Sequence, residues 1–170
     1  MTRFRSVYLE DILQTIITFV GIGLFIAAAY TDVKSFRISN MLVAAVGWLG
    51  VARLIAIGDP HVALYTAAAA FIVLIIGFLL FALHLCGGGD AKLVTAAALL
   101  VGHHGLLPFL LLMSISGAVI SIAVLLAHRY LRFWLGPSLS PKARMAVPYG
   151  IAIATGAIAT LFFQSPLLIG

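Results

Sequence analysis

The chain has 170 residues, of which 64% are hydrophobic and 9% are charged, and its formal net charge at pH 7 is +5. Soluble domains carry about a quarter charged residues, and the ten basic and five acidic side chains here are too few to cover a soluble fold of this size. The composition therefore indicates an integral membrane protein, and the length allows one bundle without a second domain.

Long apolar stretches divide the chain into predicted membrane spans. An α-helix rises about 1.5 Å per residue, so about 20 apolar residues cross a hydrocarbon core of about 30 Å. The predicted spans of a single domain over residues 1–170 are approximately 12–31, 41–57, 62–85, 91–101, 107–127 and 146–163. The sequence thus predicts an all-α integral membrane protein, a bundle of about six transmembrane helices. Arg53 lies near the end of the second span, where its side chain can snorkel to the interface.

Residues 93–128 contain no formal charge and are too long for one crossing. Residues 102–108 (GHHGLLP) predict a break, because glycines interrupt a helix and a proline is tolerated in the first turn of a new one. The short helix before this break would not cross the core alone, so we expect it to begin inside the protein.

Basic residues predict which side of the membrane each loop faces. With six spans, seven Lys and Arg residues lie in the first, third and fifth loops and three lie on the opposite side. These loops are therefore expected in the cytoplasm. Five spans would give the same totals with the loops outside, so charge does not decide between five and six. In either case Asp32 and Asp90 are two crossings apart and share one face of the membrane.

Several other classes are not supported. The basic residues form no stripe on a polar surface, so nucleic-acid binding is not expected. The single cysteine, Cys86, excludes an internal disulfide framework and a CxxC zinc site, and is interpreted as a packing residue. The histidines lack a metal-binding spacing, so no metal is expected. Arg3 and Arg5 resemble the start of a cleavable signal peptide, but acidic residues follow before the apolar stretch.

Two aspartates lie at the edges of apolar helices, Asp32 in residues 30–40 (YTDVKSFRISN) and Asp90 in residues 85–93 (LCGGGDAKL). Two carboxylates brought together there tend to share one proton. The ionised member can activate a water, and the protonated one can polarise a carbonyl or protonate a leaving amine. The glycines before Asp90 would let another backbone approach closely.

Each aspartate also has a simpler interpretation. Asp32 could pair with Lys34 or Arg37 in an ordinary loop, and Asp90 could cap the helix that follows it. Helix polarity gives a further expectation. Asp32 would lie just past the C-terminal end of the first helix and Asp90 at a helix N-terminus, so Asp32 is expected to hold the shared proton more often.

The residues around both aspartates resemble the type IV prepilin peptidase family, the GxGD class of intramembrane aspartyl proteases. That family carries an Asp followed by a basic residue, Ile-Pro-Asn and a new helix, and a second motif, Gly-x-Gly-Asp followed by Lys-Leu. The matching residues are Asp32, Arg37, Ile38 and Asn40 in the first motif and Gly87, Gly89, Asp90, Lys92 and Leu93 in the second. Residues 144–153 (RMAVPYGIAI) resemble the family's late segment before its last helix.

The chain departs from the family at two points. Ser39 stands where the family usually has proline, which would loosen the start of the second helix without removing a reactive group. Long members also carry a methylase segment with paired cysteines, which this sequence lacks. The chain therefore resembles the short, peptidase-only branch associated with tight-adherence (Flp) pili, and we expect no N-methyltransferase activity.

The resemblance implies an intramembrane aspartyl endopeptidase that removes the basic leader from an Flp-type prepilin, with Asp32 and Asp90 as the general acid/base pair. Cleavage would occur at the cytoplasmic border of the bacterial inner membrane, which favours six spans. The expected partners are the prepilin helix and membrane lipid, and no cofactor is expected. The supporting motif residues are Lys34, Arg37, Asn40, Gly87, Gly89 and Lys92. The glycines would shape the loop, and Lys92 with Arg37 would bias the local field or contact lipid phosphate.

Two alternatives belong to other classes. A small transporter or scaffold subunit could use the two aspartates as proton or ion sites, but it would need acids nearer mid-span and usually an internal repeat. A Ser-His protease could combine His103 or His104 with Ser114 or Ser116, but the sequence has no GxSxG motif.

Overall fold

The computed structural model of the protein describes residues 2–35, 38–135 and 149–165. Its helices are α1 (Thr2–Ser35), α2 (Asn40–Ile57), α3 (Pro60–Ala82), α4 (Gly88–Leu135) and α5 (Tyr149–Phe163), and the residues described contain no strand. Four of these helices are long and apolar enough to cross a membrane, and α5 is a shorter apolar helix. The predicted all-α membrane bundle is confirmed.

Local capping residues fix the start of α2 and the turn into α3. Ser39 caps α2 by accepting a hydrogen bond from the Met41 backbone N–H at 3.3 Å. The expectation that Ser39 loosens this helix start was therefore wrong. The serine hydroxyl accepts a hydrogen bond from a backbone N–H group, and a proline side chain has no acceptor for that group. Gly58 ends α2 with φ of 68°, and Asp59 then caps α3 through the His61 and Val62 N–H groups. The turn between two helices is thus only two residues long.

The α4 helix turns back on itself at Gly102. This residue has φ of 78° and ψ of 169°, a conformation that is essentially restricted to glycine. We call residues 88–101 α4a and residues 103–135 α4b. Val94 of α4a and Gly117 of α4b line one cavity, although a straight helix would separate them by about 35 Å. The described chain therefore forms six helical segments, two of them within α4.

The contacts of α4b show the same reversal. A Cβ atom at Gly105 would lie 3.2 Å from Thr160, and one at Gly117 would lie 3.6 Å from Ala152, so α4b runs antiparallel to α5. The break expected in residues 102–108 is confirmed, but it occupies Gly102 alone. Pro108 lies inside the helix, past the first turn of α4b, so its expected position in a first turn was wrong.

The segments pack through a core that is small in cross-section. Its largest fully buried side chains include Phe25, Phe109 and Leu100. Two glycines permit close helix contacts: a Cβ atom at Gly50 would lie 3.0 Å from the Leu100 backbone nitrogen, and one at Gly156 would lie 2.8 Å from the Met113 nitrogen. Small residues at such crossings are typical of membrane bundles, because packing rather than water exclusion holds the helices together.

The bundle has two chemically different ends. At one end lie the last turn of α1 and the first turns of α4a and α5, and we call it the aspartate end because Asp32 and Asp90 lie there. At the opposite end, Arg53 of α2 bonds to the carbonyl of Leu100, and Thr66 of α3 bonds to His103. The aspartate end holds the motif residues.

Candidate active site

Asp32 lies in the last turn of α1, not beyond it. The helix continues to Ser35 because the polar residues after the apolar span remain compatible with helix: Thr31 and Ser35 bond their hydroxyls to the Ala28 and Thr31 carbonyls at 2.9 and 2.7 Å. The expected position of Asp32 past the helix end was therefore wrong. Its side chain turns inward and is only 5% exposed.

The buried Asp32 carboxylate is held by α5. The Gly150 backbone N–H donates to Asp32 Oδ2 at 2.7 Å. Gly150 is the second residue of α5, where backbone N–H groups have no partner within the helix. A Cβ atom at Gly150 would lie 2.7 Å from Oδ2 and 2.9 Å from Cγ of Asp32. Only a residue without a side chain lets α5 approach Asp32 this closely.

Asp90 is the third residue of α4a and is half-buried. Its carboxylate accepts a hydrogen bond from the Gly87 backbone N–H, as the third residue of a helix does in a capping box. Asp90 is therefore not the N-cap residue that the simpler interpretation made it, because α4 begins at Gly88; it caps the helix from the third position instead. The cap and a reactive role are compatible, because one carboxylate oxygen is sufficient for the cap.

Asp32 and Asp90 both lie at the aspartate end of the bundle. The negative charge of Asp32 acts through space on Asp90, although the two residues are far apart in sequence. Lys34, which could have neutralised Asp32, extends instead over the ring of Tyr30, 5.9 Å from its centroid. Arg37, the other cation considered for Asp32, lies outside the described residues. The structure thus brings the two predicted aspartates together.

Helix polarity acts on Asp32 from two helices with opposite effects. The expectation that Asp32 holds the shared proton considered only the C-terminal end of α1. The N-terminus of α5 also reaches Asp32 through Gly150, as the N-terminus of α4a reaches Asp90 through Gly87. Helix N-termini and N–H donors favour negative charge, so each carboxylate has one such stabilising contact.

A cavity of about 480 Å³ adjoins Asp90 and lies between α3, α4a, α4b and α5. Most of its lining is apolar. Its polar lining residues are Cys86, Asp90, Ser114, Ser121 and Tyr149. Asp90 and Tyr149 line the cavity, and Asp32 does not; Tyr149 is next in sequence to Gly150, the residue that bonds to Asp32.

Cys86 lies at the edge of this cavity. Burial raises the pKa of the Cys86 thiol, and the negative charge of Asp90 raises it further. The thiol contacts the Gly77 carbonyl at 3.8 Å. Both observations agree with the interpretation of Cys86 as a packing residue that is kept protonated.

The two motif segments meet at the aspartate end. Lys92 Nζ donates to Asn40 Oδ1 at 3.5 Å, a long and exposed contact. A Cβ atom at Gly89 would lie 3.5 Å from Cβ of Ile38. Gly87 has less space for a side chain, since a Cβ atom added there would lie 2.7 Å from Asp90 Oδ2. Each motif therefore packs against the other, and Gly87 fits against the carboxylate that it binds.

A family model described as the type IV leader peptidase family matches residues 19–122, more than half of the chain. The chain belongs to this family. The matched range contains Asp32, Asp90 and the segments around them. No curated protein and no solved structure matches the chain. The protein is therefore a multi-pass membrane peptidase of the leader-peptidase type.

The residues of the Ser-His alternative are not brought together. His103 bonds to Thr66 at the opposite end of the bundle, and Ser114 bonds to the Leu110 carbonyl at 2.7 Å. The Ser-His alternative therefore has no support. The transporter alternative required acids nearer mid-span, whereas Asp32 and Asp90 lie in a last and a first helical turn. Among the described residues, no group of three or more His, Cys, Asp or Glu side chains could hold a metal.

Sequence reasoning named residues 144–153 but missed the role of Gly150. Residues 144–148 lie outside the described part, whereas Tyr149 to Ile153 form the start of α5. The available signal was a glycine in the first turn of an apolar helix, just after Pro148. Such a glycine indicates close approach of another element, but not which element.

Proposed function

We propose that the protein is an intramembrane aspartyl endopeptidase that removes the basic leader from prepilin-like substrates, with Asp32 and Asp90 as its general acid/base pair. The observation that carries the proposal is that the buried Asp32 lies at the same end of the bundle as Asp90, which lines an apolar cavity. Two carboxyl groups that lie near each other are suited to share and transfer a proton.

In this mechanism the ionised carboxylate accepts a proton from water while the water oxygen attacks the scissile carbonyl carbon. The protonated carboxyl group donates its proton to the carbonyl oxygen. The carboxyl group that took the proton from water then donates it to the leaving nitrogen as the C–N bond breaks. The other carboxylate takes back the proton from the hydroxyl group as the carbonyl re-forms, which restores the pair, and the two products leave. Gly150 holds Asp32 Oδ2, which leaves Oδ1 for the partner carboxyl group or the water. Gly87 holds Asp90 in the same way.

The cavity suits the substrate in two respects. A prepilin helix is apolar after its leader, and so is most of the cavity lining. A scissile peptide must leave its helix before water can attack it, and an extended backbone needs narrow side chains around it. The lining includes several small residues, Gly77, Ala91, Gly117, Ala118 and Ala152. We therefore place the segment around the scissile bond in this cavity.

The proposed location is the cytoplasmic face of the bacterial inner membrane, and the proposed substrates are pilins of the Flp type. The reversal of α4 at Gly102 supports six passes. With six passes, seven of the ten Lys and Arg residues lie on the side of the aspartates, which is the cytoplasmic side by the positive-inside rule. N-methylation by this protein is not proposed.

Co-expression of the full chain with an Flp-type prepilin tests the proposal. Mature pilin is expected with the unmodified peptidase and is expected to disappear with Asp32→Asn or Asp90→Asn. Asp59→Asn is the matched control, because Asp59 caps α3 at its N-terminus and asparagine caps equally well. Blots of the membrane fraction establish that every variant is present. Normal processing by both Asp32→Asn and Asp90→Asn would overturn the proposal.

A further inference from the structure

A second polar cluster lies at the end of the bundle opposite the aspartates, where the proposed mechanism uses no residue. It combines a guanidinium, two imidazoles, a hydroxyl and two amides from five helices or their ends. Its members are Gln14, Arg53, Thr66, His103, His104 and Gln164. Polar side chains inside a membrane bundle are costly unless they have partners or a function.

Arg53 turns into the bundle. The prediction that it snorkels to the interface was wrong, because Arg53 Nε donates to Gln14 Oε1 at 3.3 Å and Nη1 donates to the Leu100 carbonyl. Among the described residues, both of its acceptors are uncharged and no carboxylate is paired with it. Arginine carries five N–H donors and keeps its charge in proteins. Within the described part of the chain, this half-buried guanidinium thus has two neutral acceptors and no counterion.

The histidines and Thr66 add further hydrogen-bonding groups next to Arg53. The His103 backbone N–H donates to Thr66 Oγ1 at 3.2 Å, and His103 Nδ1 lies 3.1 Å from the same oxygen. The His103 and His104 rings are stacked at an angle of 40°, with centroids 3.8 Å apart. Thr66 is fully buried, whereas His104 is exposed. These contacts hold the His103 side chain in place, whereas the exposed His104 side chain lies at the edge of the cluster.

A cavity of about 80 Å³ lies among these side chains, lined by Arg53, Thr66, Gly102, His103 and Gln164 with their neighbours. Its volume admits a small group of several heavy atoms. Among the described residues, Gln164 Oε1 is buried and has no hydrogen-bond partner. The cavity is thus lined by a guanidinium with further N–H donors and by a residue with an unused acceptor, which matches an anion that also carries a hydroxyl group.

We propose that this cavity binds an anionic phosphate group that carries or adjoins a hydroxyl group. The phosphate oxygens accept from Arg53 and from the imidazole N–H groups, and the hydroxyl donates to Gln164 Oε1. Two sources have this chemistry: hydrogen phosphate, with its P–OH group, and a glycerol-bearing phospholipid headgroup such as that of phosphatidylglycerol. The inference does not depend on peptidase activity, because it concerns residues outside the acidic pair.

Binding to the purified full chain tests the inference. The protein is placed in phosphatidylcholine nanodiscs, and two probes are titrated separately: phosphatidylglycerol in the lipid and inorganic phosphate in the buffer. Native mass spectrometry and the midpoint of thermal unfolding report binding. We expect one probe to bind saturably and to raise the midpoint. For Arg53→Gln we expect affinity for that probe to fall about tenfold or more, because a charged hydrogen-bond partner is lost.

The control is Arg129→Gln, which removes the same charge from an exposed position on α4b and is expected to leave binding unchanged. Equal weakening by both variants would overturn the inference, since it would indicate a response to net charge. Failure of both probes to bind the unmodified protein would also overturn it. Saturable binding of inorganic phosphate alone would identify the free anion as the ligand. Saturable binding of phosphatidylglycerol alone would identify the lipid headgroup as the ligand.

A second variant keeps the test decisive if Arg53→Gln does not fold. Gln164→Met removes the unpartnered acceptor without shortening the side chain, so the protein is expected to remain folded. With phosphatidylmethanol, an anionic lipid without a headgroup hydroxyl, the unmodified protein is expected to bind more weakly than with phosphatidylglycerol. Gln164→Met is expected to bind both lipids equally. If Gln164→Met keeps the preference for the hydroxyl-bearing probe, the proposed site is wrong.

Discussion

Replacement of Gly150 with alanine would place a methyl group against the Asp32 carboxyl group. The added carbon would lie 2.7 Å from Oδ2, 2.8 Å from Cβ and 2.9 Å from Cγ of Asp32, all inside van der Waals contact. Asp32 is 5% exposed and lies within a helical turn, so it has little room to retreat. Either α5 or the Asp32 side chain must move, and the Gly150–Asp32 hydrogen bond at 2.7 Å is then lost.

The size of the effect follows from that hydrogen bond. A hydrogen bond to a charged group contributes about 1.5–3 kcal/mol, which corresponds to a change of about 10- to 150-fold in a rate or equilibrium constant. If Gly150 positions Asp32 for catalysis, Gly150→Ala lowers kcat for prepilin cleavage by about this factor. Because the cavity beside Asp90 is formed mainly by other residues, KM is expected to change less.

Two glycine controls separate positioning from folding. Gly23→Ala introduces a methyl group with nothing within 4 Å, so activity and protein level are expected to be unchanged. Gly156→Ala would bring its Cβ atom within 2.8 Å of the Met113 backbone nitrogen, away from the aspartates, so protein level should fall while kcat per folded molecule is retained. The assay is cleavage of a synthetic prepilin by each purified variant. A kcat for Gly150→Ala equal to that of the unmodified peptidase would refute the positioning argument.

Three further predictions concern the bundle and the motif contacts. Gly102→Ala is expected to destabilise the protein by about 1–3 kcal/mol, because Gly102 has φ of 78°; a melting temperature no lower than that of Gly23→Ala would contradict this. Alkylation of Cys86 by iodoacetamide is expected to be slow near pH 8 and to accelerate at higher pH, because burial and Asp90 raise the pKa of its thiol. Asp90→Asn should therefore speed alkylation at pH 8, and an unchanged rate would contradict the proximity of the two groups. Lys92→Gln is expected to reduce processing by less than about fivefold, since exposed polar contacts contribute about 0–1 kcal/mol; a loss as large as that of Asp90→Asn would contradict a supporting role.

The pattern of apolar residues and the residues that cap or break helices were sufficient to predict most of the bundle. The second span was predicted at 41–57 and α2 covers Asn40–Ile57, because Ser39 and Gly58 cap its two ends. The first helix was predicted to end at residue 31 because hydropathy falls there. Hydropathy marks where a helix leaves the membrane and not where its hydrogen bonds end, so α1 continues through Asp32 to Ser35.

The candidate site was predictable only in part. Counting crossings placed Asp32 and Asp90 at one face, and in the structure both acids lie at the same end of the bundle, where the charge of Asp32 acts on Asp90. The role of Gly150 was not predictable, because it depends on the close approach of α5 to α1 between residues 118 positions apart. The inward position of Arg53 was not predictable for the same reason. It depends on a hydrogen bond to the Leu100 carbonyl, and Gly50 lets the backbone at Leu100 come close to α2.

The measurement that tests the central claim most directly is cleavage of a purified Flp-type prepilin by the purified chain in lipid nanodiscs, with the products identified by mass. The account predicts a leader peptide and a mature pilin with the unmodified peptidase and with Asp59→Asn. It predicts neither product with Asp32→Asn or Asp90→Asn, although both variants should melt cooperatively like the unmodified protein. Cleavage at the unmodified rate by either folded aspartate variant would contradict the assignment of Asp32 and Asp90 as the catalytic pair.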